Sequence, residues 1–121
     1  MTGQFCWMEL TTGDDAAARE FYRGMFGWTY RNASPDGAPA YHMFEPADGA
    51  LGGGIMTKPR TELPTAWMPY ISVDDLGAAV ARARELGGTV QVEPMPVPGH
   101  GRFAVIQDPT GGVVGLWKNE S

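Results

Sequence analysis

Apolar and polar positions follow one pattern in the first half of the chain and repeat it in the second half. Asp14 corresponds to Asp75, 61 residues later, and Gly27 corresponds to Gly88. Each aspartate precedes apolar positions at helical spacing, and its carboxylate is predicted to cap that helix by accepting from first-turn amides. The predicted helical stripes are Ala18, Phe21, Tyr22 and Met25 in the first half, and Leu76, Ala79, Val80, Ala83 and Leu86 in the second.

Short apolar and aromatic runs bounded by Gly, Pro, Asn and Asp predict strands around each helix. The predicted strands are 4–10, 28–31, 40–45, 51–56, 66–73, 89–93, 102–107 and 113–118, with turns at 34–37, 47–49 and 108–111. Prolines at 94, 96 and 98 cannot donate to a sheet, so that segment is predicted to be an edge strand or a loop. Each half therefore has the order βαβββ. This order predicts a single α+β domain, with modules at residues 1–56 and 66–121 and a linker at 57–65.

Length and charge exclude several classes of function. A chain of 121 residues with 43% hydrophobic content can form one core. The net charge of −5 and the nine scattered basic residues argue against nucleic acid as a partner, since phosphate contacts need clustered Lys and Arg. No apolar run reaches the roughly 20 residues that cross a bilayer, and the N-terminus has no signal-peptide pattern. We therefore expect a cytoplasmic protein that binds neither nucleic acid nor membranes.

Three motifs in register give the chain a resemblance to a known superfamily. They are FYRGMFGW at 21–28, VDDL at 73–76 and FAVIQDPTG at 103–111, the last followed by a Leu-Trp pair. With the paired βαβββ modules, they resemble the vicinal oxygen chelate superfamily, which includes glyoxalase I, bleomycin-resistance proteins and extradiol dioxygenases. The resemblance implies a curved half-barrel of eight strands around a cavity, with the helices outside. Whether the half-barrel closes within one chain or by exchange of modules between two chains is left open.

The resemblance also implies where metal-dependent relatives hold their metal. One His or Gln lies on the first strand of each module and one Glu on the last strand. The matching residues here are Trp7, Gly54, Met68 and Gly115. Indole and glycine offer no lone pair to a divalent ion, and a thioether is a soft ligand. We therefore expect no metal site and no cofactor.

Strand alternation predicts which side chains share the cavity with those positions. If Trp7 faces the cavity, Phe5 and Glu9 do so too, and in the second module Met68 and Tyr70 face inward. The predicted ligand-binding residues are Phe5, Trp7, Glu9, Gly54, Met68, Tyr70 and Gly115, with His100 at the mouth on a glycine-flanked loop. The bland alternative is that these side chains fill the barrel as core and that His100 is an ordinary exposed histidine.

Glu9 carries the chemistry in this set, because a carboxylate facing a cavity must be paired, hydrated or functional. Tyr70, its counterpart in the repeat, is a candidate hydrogen-bond partner. His42, on a predicted strand whose facing is uncertain by one residue, is a second candidate helper. Desolvation would suit Glu9 to general acid or base catalysis.

The leading hypothesis is a metal-free protein that binds a small aromatic or partly apolar molecule in the cavity. The alternative is a metal-independent lyase or isomerase in which Glu9 moves a proton with help from Tyr70 or His42. A metal-dependent glyoxalase or dioxygenase ranks last. Because a curved sheet leaves open edges, we also predict a homodimer.

Overall fold

The structure is a computed structural model that describes residues 2–34, 39–45 and 51–120. Within these residues the chain forms eight strands and two helices. The strands are β1 (Phe5–Thr12), β2 (Thr29–Asn32), β3 (Tyr41–Glu45), β4 (Gly53–Thr57), β5 (Ala66–Ser72), β6 (Thr89–Val97), β7 (Gly101–Gln107) and β8 (Val113–Asn119). The helices are α1 (Asp15–Phe26) and α2 (Leu76–Glu85).

The described chain divides into two compact units. The first unit is Trp7–Trp67, and the second joins the residues before Trp7 to those from Met68 onward. In the first unit the strand order is β2-β3-β4-β1, with β1 parallel to β4. In the second the order is β5-β8-β7-β6, with β5 parallel to β8. The α+β class and the repeated βαβββ order are as predicted, whereas the module boundaries at residues 56 and 66 stay predictions.

Both helices begin with the predicted aspartate cap, and α1 ends at a glycine. The carboxylate of Asp14 accepts from the backbone N–H of Ala17 at 3.0 Å, and Asp75 accepts from Ala78 at 3.0 Å. Gly27 ends α1 in the left-handed conformation with φ of 72°, which glycine adopts without steric cost. The repeat in sequence is therefore a repeat of local structure.

Each unit buries its own apolar cluster between helix and strands. In the first unit the buried residues are Leu10, Phe44 and Ile55, against which Ala18, Tyr22, Trp28, Tyr30 and Trp67 pack. In the second they are Val73, Leu76, Val80, Ala104 and Leu116. These clusters show which face of each strand points to its helix. The neighbouring residues along each strand therefore point to the other face of the sheet.

The predicted helical stripes are wider than the surface that the helices bury. On α1, Ala18 and Tyr22 contact the core, but Phe21 is 60% exposed and Met25 58%. Phe21 precedes Tyr22 by one residue, which turns it about 100° around the helix axis. Leu86, predicted to be buried, is 61% exposed because it is the capping residue after α2.

The proline-rich segment is an edge strand, one of the two structures predicted for it. β6 includes Pro94 and Pro96, extends to Val97 and lies outermost in the strand order of its unit. Its register with β7 shifts twice, as bulged edge strands do. The predicted turn at 108–111 is present, with Asp108 accepting from Thr110 and Gly112. The predicted turns at 34–37 and 47–49 fall wholly or partly outside the described residues.

Candidate functional site

A chain of hydrogen bonds crosses the first unit on the face that points away from its helix. The indole N–H of Trp7 donates to the hydroxyl oxygen of Tyr41 at 2.9 Å. The Tyr41 hydroxyl in turn donates to Oε1 of Glu9 at 2.9 Å. Trp7 and Glu9 are two residues apart on β1 and therefore share a face, while Leu10 lies in the core on the other face. All three side chains of the chain are half-buried.

Gly54 makes this chain of bonds possible. It lies on β4, between β3 and β1, with Glu9 as its neighbour on one side and Met43 on the other. The Tyr41 ring occupies the space above it: a Cβ added at Gly54 would lie 2.1 Å from Tyr41 Cε1. The phenol therefore crosses β4 only because residue 54 has no side chain. We call the surface formed by Trp7, Glu9, Tyr41 and Gly54 the Glu9 face.

In the second unit a tyrosine ring also lies over the matching glycine. Tyr70 on β5 lies beside Gly115 on β8. A Cβ added at Gly115 would lie 2.3 Å from Tyr70 Cε2. The Tyr70 side chain is buried, and its ring meets the ring of Phe103 edge-on at 6.5 Å. At both glycine positions, an aromatic ring fills the volume that a longer side chain would need.

The positions matching metal ligands in relatives do not fit a metal ion here. Trp7 uses its one polar hydrogen to donate, Met68 offers a soft thioether, and Gly54 and Gly115 offer no side chain. Elsewhere in residues 2–34, 39–45 and 51–120, no three His, Cys, Asp or Glu side chains form a group able to hold a metal.

The His42 side chain points to the face of the sheet opposite Glu9, and this answers the question of orientation that the sequence left open. It pairs in register with Ile55, a fully buried core residue, on the side of the sheet that α1 covers. Burial lowers the pKa of His42, the nearby Arg19 guanidinium lowers it further, and Asp15 opposes both. The structure therefore does not bring His42 together with Glu9, because neighbouring residues on a strand point to opposite faces.

Three further predicted site residues, Phe5, Met68 and His100, belong to the second unit. Phe5, at the start of β1, is 63% exposed, and His100 is exposed in the loop between β6 and β7. Met68 is half-buried on β5. The predicted hydrogen bond between Glu9 and Tyr70 stays a prediction.

Each unit has a cavity among its described residues, and Glu9 does not line either of these two cavities. One, of about 250 Å³, is bounded by Met8, Trp28, Phe44, Leu51 and Trp67. Within it the rings of Trp28 and Phe44 stack at 4.1 Å with almost no tilt. The other, of about 390 Å³, lies at the start of α2 and is bounded by Asp74, Asp75, Leu76, Gly77, Pro94, Arg102 and Lys118. Two acidic and two basic side chains line this second cavity, so the formal charges of its lining cancel.

Comparison with known proteins identifies the family to which this arrangement belongs. The family model described as "Glyoxalase/Bleomycin resistance protein/Dioxygenase superfamily" matches residues 4–115. The chain belongs to this superfamily. The "Putative glyoxylase CFP32" of Mycobacterium tuberculosis is 35% identical over 117 residues, covering 97% of this chain and 44% of that protein. The "Anthracycline biosynthesis protein DnrV" of Streptomyces peucetius is 33% identical over 130 residues, covering 96% and 47%. The chain thus spans about half the length of these relatives.

Solved structures share the fold of this chain. Methylmalonyl-CoA epimerase from Mycobacterium tuberculosis superposes with a TM-score of 0.73 at 17% identity, covering 98% of this chain and 89% of that one. A variant epimerase from Streptomyces coelicolor in complex with 2-nitronate-propionyl-CoA gives 0.73 at 16%, covering 100% and 97%. These likenesses establish the fold. No helix in the described part of the chain is long and apolar enough to cross a membrane.

Sequence reasoning missed one member of the site, Tyr41. The 61-residue offset maps it onto Arg102, so the repeat gives no hint of its role. The alternation of side chains along β3 was a usable signal. Once Glu9 and Gly54 share a face, Met43 and Tyr41 must share it too, and a tyrosine is long enough to cross a glycine. Pairing β3 with β4 was the step that the sequence did not supply.

Proposed function

We propose that this member of the glyoxalase superfamily is a metal-free protein that binds a small aromatic or partly apolar molecule at the Glu9 face. The observation that carries the proposal is the pair of tyrosine rings above Gly54 and Gly115. At these positions the resemblance places metal-ligating glutamates, and here the same volume is filled by Tyr41 and Tyr70. Aromatic surface has replaced charge.

The composition of the Glu9 face supports an organic ligand. Trp7 and Tyr41 offer large, flat apolar surfaces, while Glu9 supplies one charged group. Flat apolar walls with a few placed polar groups are typical of sites for small organic molecules. The name of the Streptomyces relative links it to anthracycline biosynthesis. That link favours an aromatic ligand.

A thermal-shift screen against aromatic natural products and metabolite aldehydes tests the proposal. We expect some aromatic compounds to raise the midpoint of unfolding, and Tyr41→Phe to reduce that shift. Tyr30→Phe is the matched control, because its hydroxyl donates to the carbonyl of Arg19 on α1 rather than to Glu9. The proposal fails if no aromatic compound stabilises the protein, or if both variants change the shift equally.

The metal-free part of the proposal has its own measurement. Elemental analysis after gentle purification should find less than about a tenth of an equivalent of Zn, Ni, Mn or Fe. One equivalent that a chelator removes, with a fall in the unfolding midpoint, would contradict it.

A metal-independent enzyme is the second candidate, and the contact between Tyr41 and Glu9 favours it. A carboxylate and the phenol hydroxyl that holds it can together move a proton at a carbon next to a carbonyl. Methylmalonyl-CoA epimerases are among the solved structures with this fold. Because His42 lies on the other face, this hypothesis takes Tyr41 as the residue that assists Glu9 in proton transfer. Tyr70 stays a candidate for the same role. Exchange of a ligand C–H for deuterium in D₂O, abolished in Glu9→Gln, would favour the enzyme over the binder.

We further propose that the chain forms a homodimer through the exposed side of α1. Phe21, Met25 and Phe26 together present apolar side chains, each more than half exposed. Contiguous exposed apolar surface of this kind marks interaction sites. The relatives extend over roughly one more domain length beyond the matched part, which fits a second copy of this fold as the occupant. We also propose that this dimer is cytoplasmic. The net charge of −5 argues against nucleic acid as a partner.

A further inference from the structure

The motif at 21–28 places aromatic rings around the end of α1. Gly27 ends the helix in the left-handed conformation, and Trp28 follows it directly. The ring of Tyr22 stacks on that of Trp28 with 5.2 Å between centroids, and the ring of Phe26 lies 5.5 Å from it. Trp28 also packs against the buried cluster of the first unit. The motif therefore holds the indole of Trp28 at the sheet face that α1 covers.

A glycine lets a second aromatic ring cross a strand on this face. Phe44 on β3 pairs in register with Gly53 on β4, and a Cβ added at Gly53 would lie 2.6 Å from Phe44 Cζ. Trp28 stacks on the Phe44 ring with 4.1 Å between centroids and 2° between planes. The ring of Trp67 stands at 86° to Phe44 and 87° to Trp28, with centroids 6.0 and 6.4 Å away. The three rings therefore lie in two nearly perpendicular planes.

These rings bound the cavity of about 250 Å³ in the first unit, together with Met8 and Leu51. None of the five lining side chains is ionisable. The indole N–H of Trp67 donates to the Tyr22 hydroxyl at 3.2 Å and is thus engaged within the protein. Protein interiors leave few voids larger than a water molecule, and a buried water needs about two to four polar partners. The lining therefore suits an apolar molecule better than water.

The cavity is separate from the Glu9 face. Met8 and Glu9 are consecutive on β1, so their side chains point to opposite faces of the sheet. Met8 shares its face with Leu10, which is buried in the cluster that packs against α1. Leu51 is 45% exposed and places one edge of the cavity at the molecular surface. Occupation of this cavity therefore involves none of the polar atoms of the Glu9 face.

We propose that this cavity, which we call the Trp28 cavity, is a second binding site and takes a neutral, flat aromatic molecule of one to two fused rings. An apolar cavity of about 150 Å³ holds one benzene ring, so the larger volume here accommodates a second fused ring. Aromatic rings attract one another both edge-on and in offset stacks. A charged group is rejected, because no lining side chain offers an opposite charge and burial of an unpaired charge is costly. This site does not depend on the ligand proposed for the Glu9 face.

Methionine methyl signals separate the two sites in one spectrum. Met8 lines the Trp28 cavity, whereas Met43 is on the Glu9 face in register with Gly54. Protein labelled with ¹³C at the methionine methyl groups gives one ¹H–¹³C signal for each methionine, and Met8→Leu and Met43→Leu assign these two. An aromatic ring bound beside a methyl group shifts its signal through the ring current.

Phenol, 2-naphthol and 2-naphthoate are the probes. The first two are neutral at neutral pH and differ by one ring, whereas the third carries a carboxylate on the same two rings. We expect 2-naphthol to shift the Met8 signal and to bind at least about tenfold more tightly than phenol, because it buries more apolar surface. We expect a similar advantage of about tenfold over 2-naphthoate, because the carboxylate would be buried without a partner.

Leu51→Trp is the deciding variant, because it adds a large side chain at the exposed edge of the cavity. We expect it to weaken the binding of 2-naphthol by about tenfold or more, since the added ring competes for the space of the ligand. Leu86→Trp makes the same change at an exposed position after α2 and should leave the affinity unchanged. The unfolding midpoint of each variant shows that it is folded.

Four results would overturn the Trp28 cavity as a binding site. One is a Met8 signal that no probe shifts at concentrations up to the solubility of 2-naphthol. Another is a shift of Met43 alone, which would support the Glu9 face instead. Equal affinity for 2-naphthol in Leu51→Trp and the unchanged protein would place the ligand elsewhere. A Met8 signal that changes with protein concentration and not with the probes would show that a second copy of the chain covers the cavity.

Discussion

The ring of Tyr41 lies over Gly54 so closely that a Cβ atom on Gly54 would stand 2.1 Å from Tyr41 Cε1 and 2.3 Å from its hydroxyl oxygen. The absence of one methyl group thus lets a residue of β3 reach Glu9 on β1 across the strand between them. A glycine in a strand usually weakens it. Here it is the condition for a hydrogen-bonded site.

Gly54→Ala should turn the Tyr41 ring away and break its bonds to Glu9 and Trp7. The contacting atoms are the far end of a side chain, so the protein should still fold, with a loss of about 1–3 kcal/mol for the bond to a charged acceptor. Thermal unfolding measures the loss of stability, and the indole N–H signal of Trp7 in a ¹H–¹⁵N correlation spectrum reports the broken bond to Tyr41. An unchanged indole signal in Gly54→Ala would contradict the placement of Tyr41.

Substitutions at two other glycines provide comparisons for the stability change of Gly54→Ala. Gly53→Ala would place its Cβ 1.9 Å from the backbone oxygen of Met8, which cannot swing aside, so it should destabilise the fold more than Gly54→Ala. Gly24→Ala meets nothing within 4 Å on exposed α1 and should stabilise by up to about 1 kcal/mol. In a Tyr41→Ala background, the cost of Gly54→Ala should largely disappear.

Glu9→Gln separates the two candidate functions. The amide keeps the shape and can still accept from Tyr41, so we expect the fold to remain as stable or to become more stable. If the protein is a binder of neutral ligands, affinity should change only modestly. If Glu9 moves a proton, turnover should fall by roughly 10²-fold or more while binding survives. Calorimetry of ligand binding together with a turnover assay measures both quantities.

Phe21→Gln should weaken the proposed dimer. The unchanged chain of 13.0 kDa should give twice that mass by light scattering at micromolar concentration. The variant should raise the dissociation constant by about tenfold or more, because it removes exposed aromatic surface from α1. Leu86→Gln is the matched control, since Leu86 is equally exposed but follows α2. A monomer mass for the unchanged chain at high micromolar concentration would count against the dimer.

His42 should make stability depend on pH in mildly acidic solution. Burial and Arg19 lower its pKa in the folded state below the usual value of 6.5, so the unfolded chain takes up the proton first. Stability should therefore decrease as the pH falls from about 6.5 toward the folded pKa and level off below it. His42→Gln should lack this decrease when unfolding midpoints are compared between pH 7.5 and pH 5. An identical pH profile in both proteins would show that His42 does not contribute.

The sequence alone determined the order of elements and the chemistry of their ends. Asp14 and Asp75 cap the helices because a carboxylate close to first-turn amides acts within a few residues. The 61-residue repeat likewise predicted two βαβββ modules, since periodicity and turn residues are local signals. From the same signals, Trp7 and Glu9 were predicted to share a face two residues apart on one strand.

The tertiary structure decided what those side chains meet. Tyr41 is 32 residues from Glu9 in sequence, and only the pairing of β3 with β4 and of β4 with β1 brings its hydroxyl to the carboxylate. The same pairing placed His42 against α1, which alternation could not settle while the register was unknown. Strand alternation tells which residues of one strand share a face. Which face that is depends on the neighbouring strand, and strand pairing is set by contacts between residues far apart in the chain.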